Sequence, residues 1–169
     1  MDIQLHQAPF DPAFTIQFVA LSQTAFGSDA AESWINGLNW RLENMPDVTV
    51  FTMFYDDSLL GYKAGYASAY DRYYSWLGAV DPDFQRQGIA RRLMQAQHDW
   101  LTASRFTLLE TQVAKVNNAM LDLNLSSGFQ ISGEFSKHGE PYLILEKTVW
   151  AKSFVHFFNL ILNSWPILT

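Results

Sequence analysis

The chain has no cysteine. That absence excludes a disulfide framework, a thiolate nucleophile and a cysteine-ligated zinc site, and a reducing compartment would threaten nothing in it. Histidine is scarce as well: His6, His98, His138 and His156 are scattered without the short spacings of metal ligands, and no metal site is expected. Basic residues are outnumbered, 11 Lys and Arg against 17 Asp and Glu, for a formal net charge of -6 and a pI near 5.0. Such a balance disfavours nonspecific nucleic-acid binding and mildly favours a cationic partner such as an amine. The first residues, with Asp2, Gln4 and His6, carry no basic region followed by an apolar core, so no secretory leader is expected. No apolar segment approaches the roughly 20 residues of a membrane-spanning helix. Cytoplasmic residence is therefore the default expectation.

What the chain does have is apolar and aromatic mass, 49% and 15% of its 169 residues, enough for one domain with a sizeable core. A strand near Ile3–Leu5 precedes a helix with Asp11 as N-cap and Pro12 as first helical residue, on which Phe14, Phe18, Leu21 and Ala25 recur at helical spacing. A second helix is expected from about Asp29 to Leu42. Strands follow at Val48–Tyr55, Leu59–Tyr70 and Tyr73–Val80, the first two around an Asp56-Asp57-Ser58 turn. A helix over Gly88–Ala103, a strand over Thr107–Gln112, a helix over Asn117–Ser126 and a hairpin from Phe129–Phe135 and Tyr142–Leu145 complete the pass. The fold class is α+β, a mixed, mostly antiparallel sheet flanked by helices.

Chemistry concentrates where the third of those strands ends. Val80-Asp81-Pro82 leads into Gln85-Arg86-Gln87-Gly88-Ile89-Ala90-Arg91-Arg92 and then a helix. Chain that leaves a strand and starts a helix presents backbone N–H groups without intrahelical partners, and with the helix dipole these make an anion site. Gly88 and Ala90 keep side chains out of the way, while Arg86, Arg91 and Arg92 add positive charge that suits a diphosphate. Farther on stands Asn117-x-x-Met120-x-x-x-Asn124-x-x-x-Gly128-Phe129, with Gly128 suited to a left-handed helix end.

These two motifs, in this order and separation, resemble the acyl-CoA loop and the later segment of the GNAT superfamily of N-acyltransferases, and the expected element order matches that architecture over about 145 residues. The resemblance implies acetyl-CoA as co-substrate, held by Ala79, Val80, Gln85, Arg86, Gln87, Gly88, Ile89, Ala90 and Arg91, with Asn117 bonding the pantetheine arm. It implies direct attack of an amine on the thioester in a ternary complex, the carbonyl polarised by a backbone N–H near Val80. Where many relatives carry a tyrosine that protonates the departing thiolate, this chain has Asn124, which cannot serve as an acid; it is either a direct CoA contact or a helix residue bonding its own neighbourhood. Glu110, on the fifth strand beside Leu108, Leu109 and Val113, is the candidate base, apolar company being suited to that role; the alternative is exposure, or pairing with Arg105 or Lys115. Trp34, Tyr66, Asp71 and Tyr73 are candidates for contacts to the acceptor, and Gly61 and Gly65 either leave room for it or mark a bulge. The function implied is acetyl transfer to a primary amine, on a small molecule or a protein. The alternative is a noncatalytic acyl-CoA sensor.

The tail lies beyond the family fold. The domain is expected to span 1–148, and 149–169 to form an added helix with Trp150, Phe154, Phe157, Phe158, Ile161 and Trp165 close to one stripe. Such a stripe packs on its own domain, joins a homodimer or lies on a membrane surface.

Overall fold

The structure, a computed structural model, describes residues 2–27 and 32–150. Asp11 sets the first helix: its carboxylate accepts the Ala13 N–H at 2.7 Å and the Phe14 N–H at 3.3 Å, with Pro12 in the first turn. That helix, α1 (Pro12–Phe26), follows strand β1 (Ile3–Gln7) and buries Phe14, Phe18 and Leu21 as their spacing predicts. Helix α2 spans Glu32–Asn44 and buries Leu38 and Leu42; its expected start at Asp29 lies outside the described residues. Then come β2 (Thr49–Tyr55), β3 (Ser58–Ala67), β4 (Arg72–Val80), α3 (Ile89–Leu101), β5 (Leu108–Ala114), α4 (Asn118–Ser126), β6 (Gln130–Lys137) and β7 (Glu140–Thr148). The order is the expected one. Strand β3 stops short of Tyr70 because the Ser68 and Ala69 N–H groups turn back onto Arg72 O.

The strands form one sheet in the order β1-β2-β3-β4-β5-β7-β6, antiparallel at every pairing except β4 with β5. Side chains alternate across a strand. Strand β2 accordingly sends Val50 toward α1 and α2, and Phe51 and Met53 toward α3. Its centre is buried on both faces, since a helical layer covers each. A further cluster, with Tyr73, Leu101, Phe106, Leu109, Phe129 and Leu145, joins the far end of α3 to β5 and β7, with Met120 and Leu121 of α4 packed against it.

The strand glycines serve this packing. Strand β4 bulges here, its Ser75 and Trp76 standing against the single Gly65 of β3 between the Ala64–Leu77 and Tyr66–Tyr74 pairs, and a Cβ on Gly65 would lie 2.4 Å from Tyr73 Cε1 and 2.6 Å from Tyr74 O. A Cβ on Gly61 would lie 3.0 Å from Ala79 O and 3.1 Å from Ile89 Cγ2. The room left by Gly61 and Gly65 is thus filled by α3 and Tyr73, not by an acceptor. Val149 closes the core and Trp150 is exposed; the remainder of the expected C-terminal helix, residues 151–169, lies outside the described residues, and with it the dimer expectation. Because backbone as well as ring must shift, Gly65→Ala is expected to cost about 1–3 kcal/mol, the usual price of overpacking, read as a lower midpoint in urea unfolding.

Candidate active site

Strands β4 and β5 are bonded neighbours only where Arg72, Tyr73 and Tyr74 face Leu108, Leu109 and Glu110. Beyond Tyr74, β4 continues to Val80 beside β3 and β5 continues to Ala114 beside β7, so a wedge opens between them. The Asp81 N–H bonds Leu60 O at 2.8 Å, toward β3. Alternation along the strand therefore turns the Val80 and Gly78 N–H groups the other way, into the wedge. A cleft of about 810 Å³ occupies it, lined by Gly78, Ala79 and Val80, by the loop and first turns of α3, and by Asn117, Met120 and Leu123.

The loop is shaped by short local bonds. Asp81 caps a 3-10 turn at Pro82–Phe84 by accepting the Asp83 N–H at 2.9 Å, and Gln85 Nε2 reaches back to Val80 O at 3.4 Å. Arg86 and Gly88 both adopt left-handed backbone, with φ of 60° and 79°, a conformation that costs glycine nothing and other residues something. Gly88 is the N-cap of α3 and no side chain caps that helix, so its first-turn N–H groups remain available to an anion. A Cβ on Gly88 would meet no protein atom within 4 Å. The space before the helix is open, and Arg86 and Arg91 line it. Of the residues expected at the cofactor, Ala79, Val80, Gln85, Arg86, Gly88, Ile89, Ala90, Arg91 and Asn117 come together on this cleft; Gln87 does not.

The two asparagines part ways. Asn117 is the N-cap of α4, its Oδ1 accepting the Met120 N–H at 3.1 Å, and it lines the cleft. Asn124 is 2% exposed, donates through Nδ2 to Met120 O at 2.8 Å, and is absent from the cleft lining. The neighbourhood-bonding reading of Asn124 is the one its geometry matches, and a direct contact is blocked by its burial.

Glu110 stands opposite Tyr74, at the last paired position before the wedge. Its apolar sequence neighbours are not its company: Leu109 and Val113 turn into the core, while Glu110 turns to the other face and meets Arg72 Nη1 at 3.7 Å. The expected partners are engaged elsewhere, Arg105 with Asp47 and Lys115 with Glu134. On the α1–α2 face Tyr66 lies 5.5 Å from the Tyr74 ring and 6.0 Å from Trp76, and the Arg41 guanidinium covers Trp76 at 5.5 Å. Burial pushes the Tyr74 hydroxyl up to about 12. Trp34 packs edge-on to Phe26, which reaches the cleft rim.

Two acceptor candidates are corrected. Tyr73 is fully buried with its hydroxyl bonded to Thr49, because the residue after Arg72 must face α3. Asp71 lies at the opposite end of β4 from Val80, where its carbonyl accepts the Thr107 and Leu108 N–H groups.

Sequence reasoning missed Lys63. It is 8% exposed, lines the cleft, and has its amine pushed down to about 8 by burial. The available signal was period two: Lys63 shares a strand face with Gly61 and Gly65, an inward lysine on a strand otherwise buried. His98 of α3 was also unassigned. Its Nδ1 meets Lys147 Nζ at 3.0 Å, and burial, then the Lys147 and Lys63 charges, push the imidazole down to about 3, so it is neutral.

No curated protein gives a significant sequence match. Solved structures match the fold: the ribosomal-protein-S18-alanine N-acetyltransferase of Escherichia coli, 18% identical over 88% of this chain and 95% of its own, superposes with a TM-score of 0.71. Aminoglycoside 6'-acetyltransferase type Ii is 12% identical over 88% and 97%, with a TM-score of 0.74. The PaiA N-acetyltransferase of Thermoplasma acidophilum, solved in complex with coenzyme A, is 12% identical over 88% and 99%, with a TM-score of 0.66. The model of the acetyltransferase (GNAT) family matches residues 16–129, from within α1 through the loop, the wedge and α4. The chain belongs to the acetyltransferase (GNAT) family.

Proposed function

We propose that the protein is an N-acetyltransferase that passes the acetyl group of acetyl-CoA directly to a primary amine. The observation that carries this reading is the wedge between β4 and β5, with the uncapped start of α3 at its mouth and strand amides along its wall. The first-turn N–H groups of α3, with Arg86 and Arg91, hold the diphosphate. Asn117 bonds the pantetheine arm. The Gly78 and Val80 N–H groups polarise the thioester carbonyl, fixed donors being more effective there than water. Glu110, at the point where the wedge begins, takes the proton of the attacking amine. Tyr66, Tyr74, Trp76 and Trp34 wall the acceptor side, and the acidic balance of the chain favours a cationic amine. A chain without cysteine has no thiolate to acylate, which suits direct attack.

Two of the similar structures take their names from unlike acceptors, a ribosomal-protein alanine and an aminoglycoside. A small-molecule amine and a protein amino group therefore both belong in the screen. No helix among the described residues is long and apolar enough to cross a membrane.

Calorimetric titration is expected to show micromolar binding of acetyl-CoA that Arg86→Ala combined with Gly88→Glu abolishes; a folded wild-type protein that binds neither acetyl-CoA nor CoA would overturn the reading. Once an acceptor is found, Glu110→Gln should lower kcat about 10²-fold, the small end of general-base effects, with acetyl-CoA affinity retained. Unchanged turnover would remove Glu110 as the base.

A further inference from the structure

Lys63 sits opposite Gly78 in the β3–β4 register, at one of the close, non-hydrogen-bonded positions where side chains of paired strands approach. It uses the space that Gly78 leaves. A Cβ on Gly78 would lie 3.1 Å from Lys63 Cδ and 3.7 Å from Lys63 Nζ, so the lysine stem passes under β4 and delivers its amine to the cleft beside Gly78. The amine has no hydrogen-bond or ion-pair partner among the described residues, and the side chain is more than nine-tenths buried. A lysine kept there without a partner is costly to stability, and methionine would fill the same passage without that cost.

The other ionisable groups around it are unsuited to giving a proton at this point. Tyr62 lines the cleft, but its hydroxyl is bonded to Ser22 on the opposite face of the sheet, and burial pushes it well above its ordinary range. Arg86 and Arg91 belong to the mouth, and arginine does not deprotonate in proteins. Asp122 is exposed on α4. His98 faces Lys63 from α3, with Lys147 behind it, and is held neutral. Asn124, at the position where the resembled family places its acid, is buried and bonded within its own helix.

We propose that Lys63 is the proton donor to the departing CoA thiolate, taking over from β3 the role that Asn124 cannot fill. This rests on the acetyl-transfer reading above. The amine nitrogen bonds to the acetyl carbon, the C–S bond breaks with its electron pair on sulfur, and the Lys63 ammonium gives its proton to that sulfur. Glu110 receives the proton lost by the new amide nitrogen, and exchange with solvent restores both groups. The amine, pushed down to about 8 by burial, is close to the ordinary thiol value of about 8.5, the match that efficient proton transfer requires.

The first arm of the test needs no acceptor. The thiol of CoA bound to the full chain is titrated by thiolate ultraviolet absorbance, in the wild type, Lys63→Met and Lys63→Arg, with calorimetry confirming that each binds CoA. An ammonium beside sulfur stabilises the thiolate, so the wild-type midpoint should lie at least one pH unit below that of Lys63→Met, roughly a tenfold difference in proton affinity. Lys63→Arg should keep the low midpoint, because it keeps the cation, yet fall about 10²-fold in kcat on an amine substrate because it has no proton to give. CoA binding with the same midpoint in the wild type and Lys63→Met would overturn the proposal and leave the acetyl-transfer reading intact; absence of CoA binding in the wild type would overturn both.

Discussion

A parallel strand pair must satisfy alternating donors and acceptors from both sides, and β4 and β5 do so over three residues before they part. Parting leaves backbone groups of a central strand without a ladder, which buried backbone rarely tolerates. Side chains replace part of it at the vertex. Thr111 Oγ1 donates to Ser75 O at 2.8 Å, and Ser75 Oγ donates to Gln97 Oε1 at 2.7 Å, tying β5, β4 and α3 together just past the last paired residues. Farther out the Gly78 and Val80 N–H groups face the gap, and the uncapped start of α3 stands at its mouth. The shape of the sheet and the placement of its donors are thus one constraint.

The interior behind the wedge carries an unusual share of polar cost. Gln97 Nε2, His98 Nε2, Asn124 Oδ1 and, on α2, Asn39 Oδ1 are buried without partners among the described residues. Each unsatisfied group costs on the order of 1–3 kcal/mol. Three of the four sit on α3 and α4, which line the cleft, and the fourth on α2. Local cost gathered mostly beside the cleft is expected where a sequence serves something other than stability.

Much of this was legible in the chain. Asp11-Pro12 names a helix start because an acceptor side chain and a residue without an N–H suit the same end, and Gly128 names a left-handed turn after another helix. What could not be read were the faces. Tyr73 and Tyr74 are adjacent tyrosines on one strand, and only the phase of the strand sends the first to Thr49 in the core and the second to the α1–α2 face beside Tyr66. Glu110 sits among apolar letters but beside Arg72, because the letters alternate across a sheet whose neighbouring strand is far away in sequence. Asn124 carried a family expectation that its own bond to Met120 O explains locally. Lys63 is not distinguishable in the sequence, because an inward lysine looks like any other lysine until the fold sets it against Gly78, fifteen residues later in the chain, which makes room for it.

The two faces of β4 are furnished differently. On the α3 side stand helix N–H groups, Arg86, Arg91 and Lys63, all donors or cations, in keeping with a polyanionic donor molecule. On the α1–α2 side stand the Tyr66, Tyr74 and Trp76 rings, with the Arg41 guanidinium over Trp76 and Glu110 paired to Arg72. In an intact sheet such faces would be separated by a continuous ladder. The wedge interrupts the ladder immediately beyond Tyr74 and Glu110, and on the proposed reading the two reactants meet there without either entering the packed core. That is why a short pairing, and not a long one, is compatible with the chemistry: each added rung between β4 and β5 would close the passage from its vertex outward.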